Sequence, residues 1–105
     1  MDKFKIIYKI LKELERNMGN EDFDNYLISA ERMKIPYAQW EHLIILLVDS
    51  GYIAGVITSK SMPDKFRHIV EPMEPYITMK GLEYLAENSF MAKAKELLKM
   101  AGDII

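Results

Sequence analysis

The stretch that decides the fold is Ser29–Ile57, SAERMKIPYAQWEHLIILLVDSGYIAGVI. Ser29 is a good N-cap, since its hydroxyl can accept from an amide of the first helical turn, and it opens a brief helix over Ala30–Lys34. Ile35-Pro36 ends that helix. The residue before a proline is pushed out of helical geometry, and Pro36, having no N–H, suits the first turn of the helix that follows. That helix, Pro36–Ser50, places Trp40, Leu43, Ile44 and Leu47 on one face and Tyr37, Gln39, His42 and Asp49 elsewhere. Gly51 stops it, and Tyr52–Ile57 reads as a strand. Two helices so close in sequence cross steeply, and a helix-turn-helix followed at once by a strand predicts a winged helix.

Working outward, the six apolar residues of Leu43–Val48 are more than one buried face can use, so Ile45 or Leu46 is left for another contact. Trp40, in phase with Ile44 and Leu47, is expected to anchor the core. Upstream, a first helix runs from Lys3 to about Met18, with Asp2 as N-cap and Gly19 as terminator. Its apolar stripe is Phe4, Ile7, Tyr8, Leu11, Leu14 and Met18, widened by Ile6 and Ile10. Asn20–Asn25 is an acidic loop without the residue spacing of a calcium loop, and Tyr26–Ile28 is expected to add a short strand. Downstream, Thr58–His68 reads as a hairpin loop and Ile69-Val70 as the returning strand. Pro72 and Pro75 interrupt the pattern. Thr78 then caps a helix over Met79–Asn88, with Leu82 and Leu85 inward, and a last helix follows over Phe90–Ala101. The expected class is α+β, mainly α: a single winged helix-turn-helix domain over 1–105 with an additional C-terminal helix. Its helix-turn-helix spans about 29–50, its wing hairpin about 52–71 and its C-terminal helices about 78–101.

The whole chain narrows the function classes. Its 105 residues suffice for one modest core, and 50% hydrophobic with 29% charged residues is a globular balance. With no cysteine, neither disulfides nor thiolate metal sites are available. Charges recur every few residues through the first helix, so neither a signal peptide nor a membrane span is expected, and the predicted setting is cytoplasmic. Phosphate-binding loops, dinucleotide fingerprints and zinc-protease motifs are missing. The histidines, His42 and His68, lie on different elements, and adjacent Glu41 and His42 point about 100° apart on a helix. His68, Glu71 and Glu74 read as surface charges flanking a strand, not as metal ligands. No catalysis, cofactor, metal or small-molecule substrate is therefore expected.

The phrase GYIAGV after the second helix, followed by ITMKGLEYLAENS at Ile77–Ser89, resembles the YjcQ-like proteins, small winged-helix proteins of bacterial chromosomes and prophages. FKIIYKILKELE and ISAERMKIPYAQW are similar in character to that family's first helix and helix-turn-helix. The order of these phrases, over nearly all of the chain, carries the resemblance. It implies the fold and a prophage-type setting, and brings no activity with it.

Two functions follow. The first is double-stranded DNA binding by a small transcriptional regulator, with the Pro36–Ser50 helix in the major groove. Gln39 and His42 would read base edges, and Tyr37, Arg32 or Lys34 would contact phosphates, while Lys60, Lys65 and Arg67 of the wing would grip the flanking backbone. The charge count opposes it locally: Ser29–Ser50 carries Arg32 and Lys34 against Glu31, Glu41 and Asp49, a net of −1, within a chain of formal net charge −2. The wing, Gly51–Glu71, has three basic residues against Asp64 and Glu71, a net of +1. The second function is a winged-helix protein-interaction module, motivated by the apolar surplus at Leu43–Val48 and by eight methionines, which suit adaptable contacts. The last helix either completes the monomer core or joins two copies as a homodimer through the C-terminal helix.

Overall fold

A computed structural model describes residues 2–89, so the helix expected over Phe90–Ala101, and with it the C-terminal dimer contact, lies outside the described residues. The chain is α+β and mainly helical. It runs through α1 (Lys3–Arg16), a 3-10 turn (Asn25–Ile28), α2 (Ala30–Met33) and α3 (Tyr37–Asp49), then β1 (Ile53–Ala54), β2 (Ile57–Ser59), β3 (His68–Val70) and β4 (Tyr76–Ile77). Residues 79–89 form α4.

α1 begins where Asp2 accepts from the amides of Phe4 and Lys5, as a capping aspartate should. It ends at Arg16, two residues short of Met18, with Asn17 as cap. Its buried side chains are Ile6, Ile10, Leu11 and Leu14, so the two isoleucines are the centre of the stripe and not its margin. Phe4 and Met18, expected inward, are 73% and 58% exposed at the two ends of the helix. Tyr26–Ile28 is not a strand. The Asp24 carboxylate accepts from the Tyr26 amide at 2.9 Å, and the Leu27 amide reaches the Asp24 carbonyl at 3.0 Å, which closes the segment into a 3-10 turn. The Ile28 carbonyl then receives the Trp40 indole N–H at 2.7 Å, joining this turn to α3.

Trp40, Leu43, Ile44 and Leu47 are buried, as their spacing predicts, while Leu46 remains 45% exposed. α3 closes in a Schellman arrangement: the Tyr52 amide bonds the Leu47 carbonyl at 2.9 Å and the Gly51 amide bonds that of Val48 at 3.0 Å. Gly51 holds the left-handed conformation this needs, φ +82°.

The expected strand Tyr52–Ile57 divides at Gly55, whose φ is +83°. β1 pairs antiparallel with β4, Ile53 opposite Ile77, while β2 pairs antiparallel with β3 as Ile57–Val70, Thr58–Ile69 and Ser59–His68. β4, between Pro75 and the Thr78 cap, supplies β1 with its partner. The core lies between α1, α3 and these short ladders, with Ile28, Ile53, Ile69, Ile77 and Leu85 closing it.

Candidate functional site

The outer side of α3 and the β2–β3 hairpin frame one surface. Pro36 starts α3 and, having no side-chain donor or acceptor, leaves its first amides without a side-chain cap. Pro36, Tyr37, Ala38 and Gln39 are all exposed, as is His42 one turn on. Trp40 points inward, and the Tyr37 ring lies on its side of the helix, 5.4 Å away. The expected base readers Gln39 and His42 thus lie about 60° apart on one side of the helix, while Tyr37, expected to contact phosphate, lies on the opposite side against Trp40 and Glu41.

Glu41 turns inward. Only 7% exposed, it accepts from the Ile69 amide at 3.0 Å, contacts the Tyr37 hydroxyl at 3.4 Å and pairs with His68 Nδ1 at 2.8 Å. Burial alone would push its carboxyl up, but the Ile69 amide, the His68 ring and the Tyr37 hydroxyl outweigh that and hold it below the usual 4.5. The hydrogen bond that the ring donates to Glu41 is the chief reason the His68 pKa is raised above 6.5; desolvation works against it, and the charges of Glu41 and of Asp64, 3.8 Å from Nε2, add to it. Burial, followed by the charges of Glu41 and Glu71, raises the Tyr37 phenol, which stays protonated and can donate.

Asp49, exposed at the end of α3, also has a basic partner. Arg67, expected to grip a phosphate, pairs with it and lies 3.4 Å from the Thr58 hydroxyl across the hairpin. Lys60 and Lys65 remain exposed on the hairpin. Between α3 and the hairpin lies a groove of about 300 Å³ with Ala38, Ile45, Leu46 and Phe66 among its walls. Phe66 is 64% exposed and meets the His42 ring edge-on at 6.0 Å. Arg32 and Lys34 are not on this groove; they line a second one, against α1.

Sequence reasoning missed the Glu41–His68 pair. The available signal was a lone carboxylate beside Trp40 on an otherwise apolar helix face. His68 faces Glu41 and Asp64 rather than Glu71 or Glu74, and no group of three or more metal-ligating side chains occurs among the described residues.

A family model described as YjcQ protein matches residues 8–104. The chain belongs to the YjcQ family. The Bacillus subtilis (strain 168) uncharacterized protein YjcQ is 30% identical to this YjcQ-family chain over 105 residues, covering 100% of it and 99% of that relative. No solved structure matches. Among the described residues, no helix of this YjcQ-family chain is long and apolar enough to cross a membrane.

Proposed function

We propose that this YjcQ-family protein is a winged-helix DNA-binding protein, a small non-catalytic transcriptional regulator acting on chromosomal or prophage DNA in the cytoplasm. In this reading α2, residues 34–36 and α3 are the helix-turn-helix, and β2–β3 with its loop is the wing. The observation that carries it is the start of α3: a run of exposed residues with uncapped amides, where Gln39 and His42 face outward and Lys34 stands at the preceding turn. Helix N-termini favour phosphate, and Gln39 can pair bidentately with adenine.

The wing contacts support the reading in a second way. Of the three carboxylates that made the helix-turn-helix net negative, Glu41 and Asp49 are paired with His68 and Arg67. The Asp49–Arg67 pair takes one acid from α3 and one cation from the hairpin, so the face becomes less acidic only by the withdrawal of buried Glu41. Arg67 is assigned to positioning the wing, and Lys60 and Lys65 to phosphate contact.

Gln39→Ala is expected to relax base preference with little change in overall affinity, and Lys65→Ala to weaken binding to every sequence and flatten its salt dependence. Fluorescence anisotropy on duplexes of varied sequence reads both; equal effects of the two variants on all sequences would remove the assignment of base reading to Gln39. The apolar groove with Phe66 and Leu46 favours a second reading, a protein-interaction module, in which Phe66→Ala abolishes partner binding.

A further inference from the structure

The groove between α1 and α2 gathers positive charge that the chain as a whole lacks. Lys9, Lys12 and Arg16 succeed one another at spacings of three and four along α1, so they share one side of the helix. Arg32 and Lys34 stand opposite, on α2 and its cap, and the groove between has a volume of about 600 Å³. Glu13 and Glu31 are its carboxylates, so five cations meet two acids, a net of +3 in a chain of formal net charge −2. Lys12 is engaged by Glu15 at 2.8 Å and Arg16 by Glu13 at 3.2 Å. Lys9, Arg32 and Lys34 have no carboxylate within 4.0 Å among the described residues.

Lys34 adds a second observation. Its backbone is left-handed, φ 59°, the only such non-glycine residue described. Glycine or asparagine would hold that position with less strain, yet a long cation occupies it, two residues before the uncapped start of α3.

We propose that this groove is a phosphate track for nucleic acid. It takes the sugar-phosphate backbone of the duplex that α3 reads, passing Lys34 and Arg32 and continuing along Lys9, Lys12 and Arg16. The proposal rests on the DNA reading of α3. Lys9 to Arg16 covers about 10 Å of helix axis, enough for its cations to follow a short run of backbone phosphates. A continuous line of cations suits a continuous polyanion; an acidic peptide is the competing occupant.

The test is salt-dependent binding of a labelled duplex by the wild type, the Lys9→Ala/Arg32→Ala double variant and Gln39→Ala. Both cations are exposed and without an ion pair, so the double variant should fold normally. It is expected to bind every sequence at least about tenfold more weakly at low salt, with the slope of log K against log salt reduced by about two, while Gln39→Ala keeps the wild-type slope. An unchanged slope in the double variant while Gln39→Ala still relaxes base preference overturns the groove and leaves α3 in place. A reduced slope with no effect of Gln39→Ala supports the groove and removes the reading of α3. Binding of poly-glutamate that the double variant loses, with its duplex binding unaltered, assigns the groove to protein and overturns the proposal. Absence of duplex binding by the wild type overturns both.

Discussion

Glu41 decides how much negative charge α3 shows to solvent, because a carboxylate with its donors inside the protein is one fewer on the surface. Glu41→Ala leaves the Ile69 amide without its acceptor and is expected to cost about 1–3 kcal/mol in urea unfolding, Glu41→Gln less because an acceptor survives. The pair also sets a pH window. His68 has a raised folded-state pKa, so its contribution is complete below 6.5 and is lost as pH rises through that raised value. Glu41 has a lowered one, so its contribution is complete above 4.5 and is lost as pH falls through the lowered value. The contact is therefore strongest between pH 4.5 and 6.5. Thermal melts across pH should show the wild type losing stability above that window relative to His68→Gln. Parallel profiles would separate the ring from the docking of the β2–β3 hairpin.

At the scale of elements, the joint between the Gly51 turn and α4 rests on one close approach. The Thr78 hydroxyl donates to the Gly51 carbonyl and accepts from the Gly81 amide, and Gly81 lies against the Tyr52 backbone, where a Cβ would overlap the Tyr52 carbonyl oxygen. Gly81→Ala is expected to destabilise by about 1–3 kcal/mol, read as a lower urea midpoint with unchanged slope. This gives the T-x-K-G core of the ITMKGLEYLAENS phrase a physical reason. Much else at this scale was legible: caps at Asp2 and Ser29, the inward face of α3, the Gly51 stop and the hairpin. Two elements were not. Tyr26–Ile28 has strand-like residues, but the Asp24 cap and the Trp40 indole commit its backbone to a turn. Tyr52–Ile57 looks continuous, but Gly55 closes on the Glu74 backbone and sends β1 and β2 to different partners.

Across the whole molecule, charge is distributed in a way that composition could not reveal. The exposed residues at the start of α3 were readable from helical phase. The fates of Glu41, Asp49 and Arg67 were not, since they depend on how the hairpin docks on α3, a contact between residues 18 to 28 apart in sequence. Nor was the cation groove, which needs α1 and α2 side by side. The resulting surface has an apolar groove beside α3 and a positive one behind the turn that precedes it. With the five groove cations and Lys60 and Lys65 of the hairpin, about seven phosphate contacts are on offer, and a single copy should bind duplex DNA with a salt slope near −6. The central claim is that α3 reads DNA, and the most direct measurement is selection of bound fragments from a random duplex library at low salt, with wild type and Gln39→Ala/His42→Ala in parallel. A shared sequence motif enriched by the wild type and lost in the double variant, with residual unspecific binding retained, is the expected result. No retained DNA at low salt, or the same motif enriched by both proteins, would contradict it.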